Sequence, residues 1–356
     1  MSLFDRVAEL PLVLEEYALD RLERDVSSSF TRVSTVVKLY GMGTEGVGED
    51  VVYDPVDHDV LQEAGPVLPL AGDWTLGAFC EHVESLDAFP EPPQREVSRR
   101  YRHWTFESAA LDLALRQAGR PLHEVLGREP RPVRFVVSLR LGGTAEGDPP
   151  SSIEPLRRRL DRYPDLRFKL DPTGDWDDAL IAEVAATGAV ESVDFKGQYR
   201  GTVVDVPADP ALYERVLRHL PDAWIEDPHT GNAEIDALLE PHRDRVSWDA
   251  IIHSVADIEA LPFQPRMVNV KPSRLGPLRE LFAAYEHCDT NGIGMYGGGQ
   301  FELGPGRGQI QYLASLFHAD APNDTAPAPY NDVDPPAGLP HSPLEPQPSS
   351  VGFRWG

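Results

Sequence analysis

A chain of 356 residues is long for one small domain and points to about two, and 41% hydrophobic with 26% charged side chains is ordinary for a folded protein. Its 33 basic and 58 acidic residues leave a formal charge of −25, which repels polyphosphates and anionic bilayers, so neither nucleic-acid binding nor membrane docking is expected. Cys80 and Cys288 make neither a zinc site nor a disulfide framework; the opening MSLFDRVAELPLVLEEY scatters acids among its apolar positions, so no leader or membrane span is predicted and a reducing, cytoplasmic compartment is.

From about Val13 to Tyr53 the chain alternates apolar and polar residues, as in FTRVSTVVKLYG, with glycine punctuation in GMGTEGVGED, and predicts an antiparallel meander. Helical spacing follows at Thr75 to Leu86 and in TFESAALDLALRQAGRPLHEVLG, where Thr105 is placed to cap a helix and Gly119 to end it. An α+β unit of roughly 130 residues is expected. Beyond Val133, seven β-prone runs alternate with amphipathic helices: VRFVVSLRLG, RFKLDP, VESVDFKG, AWIEDP, RVSWDA, MVNVKP and GIGMYGGGQ. This predicts a βα barrel, and a doubly wound sheet fits less well because polar residues end many different strands. After Asp320, nine of the 34 prolines crowd the last 36 residues, so an extended arm with little regular structure is expected.

Asp194, Glu226 and Asp249 each close one of the apolar runs and Lys271 closes the next, at intervals of 32, 23 and 22 residues. Any one of them could cap a helix or face water. Together, at the C-terminal ends of successive barrel strands, three carboxylates with no His or Cys partner suit a hard cation, Mg²⁺ or alternatively Mn²⁺. Burial and a neighbouring cation would both disfavour the ammonium form of Lys271, as a general base requires. Period-two alternation puts Lys169 and Asp171 on one face of their strand and Asp194 and Lys196 on one face of the next.

The order Asp, Glu, Asp, then Lys in V-x-V-K-P-S-R-L-G resembles the enolase superfamily, in its mandelate racemase and muconate lactonising enzyme group, on the branch of muconate lactonising enzymes and o-succinylbenzoate synthases. The resemblance implies an α/β fold: a modified TIM barrel, (β/α)7β, over residues 131–320, with an N-terminal α+β capping domain over 1–130. Residues 321–356 would supply the last strand, from NDTAPAPYND, and an arm returning toward the cap. It implies a lyase or isomerase in which Mg²⁺ on Asp194, Glu226 and Asp249 assists removal of a proton α to a carboxylate, giving an enediolate. The partner is then a small-molecule carboxylate, and a homo-oligomer is expected.

The chain departs from the family at strand two, where Lys169-Leu170-Asp171 stands in place of Lys-x-Lys, and at strand three, where Asp194-Phe195-Lys196 stands in place of Asp-x-Asn. Lys196 could be a relocated base, or Asp171 and Lys196 a buried ion pair, or Asp171 the base itself. Proton transfer from one face to the other wants two bases, so the missing lysine favours β-elimination of the lyase, dehydratase or cycloisomerase type. A racemase or epimerase using Lys196 or Asp171 opposite Lys271, and a degenerate barrel that only binds Mg²⁺ and carboxylates, remain as alternatives. Ser29 on a cap loop, with Gly298, Gln300 and Glu302 in a segment similar to the family's GG-x-x-E-x-G, are the expected substrate neighbours. GPGRG at Gly304 to Gly308 could offer N–H groups to a carboxylate, while His229 and His253 are more at home as loop residues.

Overall fold

The computed structural model describes residues 1–26, 30–143, 149–200 and 206–356. Twelve strands are present among them. In the N-terminal half, β1 (Pro11–Leu14) pairs antiparallel with β5 (Gly72–Thr75), and β2 (Glu16–Val26), β3 (Phe30–Gly41) and β4 (Thr44–Asp50) form an antiparallel meander. Met42 and Gly43 join β3 to β4 with φ of 51° and 70°, and two positive-φ residues make the tight turn whose twist matches a hairpin.

The helix Ser98–Gln117 lies across β4, and glycine is needed there because the backbones nearly touch. A Cβ at Gly46 would stand 2.3 Å from the Ala109 carbonyl oxygen, and one at Gly48 2.1 Å from that of Thr105. This helix begins eight residues earlier than its sequence pattern predicts. Thr105 therefore does not cap it; its hydroxyl donates to the Tyr101 carbonyl at 2.8 Å, one turn back inside the helix. Thr75 caps the preceding helix, Leu76–Ser85, and Gly119 with φ 65° follows the end of the long one.

The second half is a barrel. Strands β6 (Val137–Leu139), β7 (Phe168–Leu170), β8 (Val190–Asp194), β9 (Trp224–Glu226), β10 (Val246–Trp248), β11 (Met267–Asn269) and β12 (Gly294–Tyr296) pair in parallel, each with the next in sequence. That order is a barrel's, without the strand-order reversal of a doubly wound sheet. Asn323 bridges Phe135 and Asp324 bridges Gly298, both in parallel, so residues 323–324 fill the gap between β12 and β6. One hydrophobic core runs through both halves: Leu39, Phe79 and Leu113 share it with Phe168, Ile225 and Val268.

Beyond the gap the chain crosses the outside of the molecule through isolated bridges. Gly352 bridges Pro121, Phe353 is buried edge-on against Trp104 at 6.3 Å between ring centroids, and Arg354 donates to Asp112 at 2.8 Å. Both cysteines are buried thiols. No helix among the described residues is long and apolar enough to cross a membrane.

Candidate active site

All the strand-end groups expected from the sequence lie within the described residues; Ser29, on the cap, lies outside them. Lys271 lies two residues past the end of β11 and N-caps the short helix Pro272–Leu275; its ammonium donates to Asp249 Oδ2 at 2.9 Å. Arg274 stands three residues on, where the first helical turn brings it back beside Lys271, and its Nη1 lies 3.0 Å from the other Asp249 oxygen. Its Nη2 donates to the Tyr199 hydroxyl at 3.2 Å, which in turn donates to Asp249 at 3.2 Å. Arg274 was not among the sequence candidates, although its place in K-P-S-R was the available signal.

Lys169 is buried at β7 with its Nζ 2.5 Å from Glu226 Oε1, 3.3 Å from Asp194 Oδ2 and 3.5 Å from Asp324 Oδ2. Lys196 pairs with Asp194 and lies 3.5 Å from Asp171 Oδ1, while the other Asp171 oxygen accepts from Arg140 Nε at 3.1 Å. Asp171 and Lys196 thus meet on adjacent strand ends, joined by Arg140, which the sequence reading did not single out. Three of the four non-glycine residues with positive φ among those described are Lys196 and Asp227, just past barrel strands, and Phe301, in the glycine-rich segment that follows β12. Backbone of that kind gathers at functional sites.

Carboxylate oxygens of Asp194, Glu226 and Asp227 fall within 4.8 Å of one another. Asp227 was also missed by the sequence reading. Its two oxygens accept the backbone N–H groups of Asp249 and Ala250, both at 2.9 Å, so it fixes the end of β10 where Asp249 departs. Burial and the neighbouring carboxylates raise the pKa of both Glu226 and Asp227, with Lys169 opposing at Glu226. Such a concentration of buried negative charge calls for a cation.

The three lysines differ. Burial lowers the pKa of Lys271, with Arg274 and Lys169 adding to the effect and Asp249 resisting it. At Lys169 and Lys196 burial acts the same way but is overcome by carboxylates: Glu226, Asp194 and Asp324 around the first, Asp171 and Asp194 around the second. Both of those are raised.

Along the glycine-rich segment, Gln300 is buried and its backbone N–H donates to Glu302 Oε1 at 2.6 Å; Glu302 Oε2 lies 3.0 Å from Arg307. A carboxylate does occupy the N–H groups of GPGRG, but it is the chain's own Glu49, reaching over from β4. It accepts from Leu303 at 2.6 Å, Gly304 at 2.9 Å and Gly306 at 2.9 Å, and from the Ser34 hydroxyl at 2.7 Å. His229 is engaged by Tyr213 at 3.1 Å and the Val206 carbonyl at 2.7 Å, and His253 is half-exposed beside Asp257.

Residues 129–332 match the family described as the domain of unknown function (DUF8230) C-terminal domain, and residues 5–125 match its N-terminal counterpart. The chain belongs to the DUF8230 family. This DUF8230 member is 24% identical over 341 residues to an N-succinylamino acid racemase of Thermus thermophilus, covering 91% of this chain and 84% of that one. It is 27% identical over 333 residues to an o-succinylbenzoate synthase of Geobacillus stearothermophilus, covering 88% and 84%. The fold is shared with a dipeptide epimerase from Methylococcus capsulatus in complex with Mg ion, at a TM-score of 0.59 and 19% identity over 90% of this chain and 88% of that one. The chain thus shares the fold of the enolase superfamily, and the curated relatives it resembles are enzymes of the lyase or isomerase kind.

Proposed function

We propose that this protein removes a proton α to the carboxylate of a small molecule, with Lys271 as the base, and that β-elimination follows. The observation that carries this reading is the inequality of the three lysines. Lys271 meets a single carboxylate, Asp249, which Arg274 also neutralises, and burial lowers the pKa of this lysine, whereas Lys169 lies among Glu226, Asp194 and Asp324 and Lys196 between Asp171 and Asp194. One base serves elimination; a transfer from one face to the other needs two.

The donor set fits a hard divalent cation. It is made of oxygens only, and Glu226 Oε2 is buried without a hydrogen-bond partner among the described residues. Asp194 and Glu226 would hold Mg²⁺ or Mn²⁺, with Asp249 as third ligand; Asp227, nearer the other two but already bound to two backbone N–H groups, is the alternative third. When bound, the cation supplies Lewis-acid stabilisation of the charge that develops on the substrate carboxylate.

The chain's own part is to attract and orient. With the acids taken up by a cation, Lys169, Lys196 and Arg274 would offer positive charge to an entering carboxylate against an overall charge of −25. Asp249 holds the Lys271 amine through one oxygen and is itself pinned through the other by Arg274. The catalytic unit would be the barrel, residues 131–320, closed by the strand at the start of 321–356 and covered by a capping domain over 1–130.

The racemase or epimerase reading draws its support from the Thermus relative and from Lys196, whose ammonium beside Asp171 could return a proton. Incubation with Mg²⁺ and a panel of chiral carboxylates in D₂O separates these outcomes. Elimination gives an unsaturated acid, racemisation gives deuterated substrate of both hands, and a barrel that only binds gives neither, which would remove the proposal.

A further inference from the structure

Asn269 ends β11 two residues before Lys271, and along a strand that spacing puts both side chains on one face. It is only 1% exposed, yet neither its Oδ1 nor its Nδ2 has a hydrogen-bond partner among the described residues. A buried amide with both ends unmet is costly to keep, and such groups in folded proteins are ordinarily satisfied by the chain, by water or by a ligand.

The surroundings place the amide beside the proposed base. A Cβ built at Gly298 would lie 2.9 Å from Asn269 Nδ2, 3.2 Å from its Oδ1 and 3.0 Å from Lys271 Cε. The amide, the stem of the proposed base and the bare backbone at 298 therefore lie against one another, so a group that reaches Asn269 also stands beside Lys271. Two residues along the same segment, Gln300 is equally buried and its Nε2 is unpartnered as well. Charged groups crowd the neighbouring strand ends, but the ion pairs and hydrogen bonds of Lys271, Arg274 and Asp249 described above run among themselves and to Tyr199, leaving Asn269 aside.

We propose that Asn269 is a substrate-binding residue that takes a neutral group of the substrate, one that both donates and accepts a hydrogen bond, next to the carbon facing Lys271. Gln300 donates to the same substrate from the adjoining segment. A hydroxyl and a secondary amide share that chemistry, and both free ends of the Asn269 amide are then used. The inference rests on the proposed reaction only in naming Lys271 as the neighbour of the reacting carbon.

Three probes sharing a carboxylate and a phenyl ring test it on the full chain with Mg²⁺: N-acetylphenylalanine carries the amide, 3-phenyllactate the hydroxyl, and 3-phenylpropanoate neither. Calorimetric affinities are expected to favour the amide or the hydroxyl probe over 3-phenylpropanoate by about tenfold, the worth of one well-made hydrogen bond to a buried partner. The preferred probe identifies which group the site takes. Asn269→Leu, similar in volume, should erase that preference and leave 3-phenylpropanoate affinity unchanged; Asn269→Ser, which shortens the side chain, should do the same if the leucine variant does not fold. A wild-type chain that does not discriminate among the three, or a variant that weakens all three equally, overturns the inference, the amide then being satisfied by water. α-Proton exchange in D₂O, read on the same samples, decides the proposed reaction separately: binding preference without exchange leaves Asn269 in place and removes the role of Lys271.

Discussion

At Lys271 the deciding influence is burial, with Arg274 and Asp249 pulling in opposite directions. A lowered pKa means that the free amine is reached at a lower pH than for an ordinary lysine, near about 10.4. The protonated form is inactive as a base, so kcat/KM should climb with pH through that lowered value and level off above it. Lys271→Met should lose about 10²-fold or more in α-proton exchange while keeping its melting temperature, because Arg274 still neutralises Asp249. Undiminished exchange would place the base elsewhere. Lys196 calls for a different measurement, since it touches both Asp171 and Asp194 and Asp171 also holds Arg140. Removing Lys196 leaves neither acid without a cation, so Lys196→Met should cost about 1–2 kcal/mol in the metal-free chain, less than the roughly 3–5 kcal/mol of an orphaned buried charge. A cycle with Asp171→Asn should show coupling of at least about 0.5 kcal/mol by urea denaturation, and strict additivity would mean that the pair does not interact. Residue types at strand ends made these acids and lysines visible in the sequence. Arg140 and Asp227 escaped because their roles depend on which strand end lies beside which, and register carries no local signature; Arg274, one helical turn after Lys271 in K-P-S-R, had a local signal that went unread.

Among the elements, the helix Pro305–Phe317 shows how a local motif can be filled from a distance. Its first turn, read alone, is an anion site made of free N–H groups. Glu49, more than 250 residues earlier, is the anion, and nothing in GPGRG announces it. Burial and the nearby Glu302 raise the pKa of Glu49, against the pull of Ser34, Leu303 and Gly306. Glu49→Ala should destabilise by about 2–3 kcal/mol, one buried N–H group, two part-buried ones and a buried hydroxyl losing their acceptor together. A urea midpoint unchanged by the substitution would mean that water replaces the carboxylate at no cost. The seven barrel strands were legible because each is a short apolar run between turn signals. The start of the helix Ser98–Gln117 was not, since its N-cap position is filled by Val97, which has no capping side chain.

Across the whole molecule the two halves meet through buried polar contacts, and Glu107 is the one whose charge should be felt by the entire fold. It sits on the helix Ser98–Gln117 and accepts the backbone N–H of Leu278, at the head of the helix Leu278–Asn291, at 2.7 Å. Burial, aided by Glu84, pushes its pKa up to about 8, while the Leu278 N–H pulls the other way. An unfolded glutamate titrates near about 4.3, so from about pH 4.3 to 8 the folded chain holds a proton that the unfolded chain has released. Stability contributed by this group therefore falls as pH rises through that window and is level above it. Glu107→Gln keeps an acceptor for Leu278 and cannot ionise. The variant should match the wild-type chain near about pH 4 and exceed it by about 2–4 kcal/mol at about pH 9, with the difference opening between those limits. Because the −25 surface charge acts equally on both proteins, the difference in urea midpoint isolates the one carboxyl. A difference that does not change from about pH 5 to 9 would show that Glu107 ionises as freely in the folded protein as in the unfolded one, and that the junction between cap and barrel is wetter than its complete burial implies.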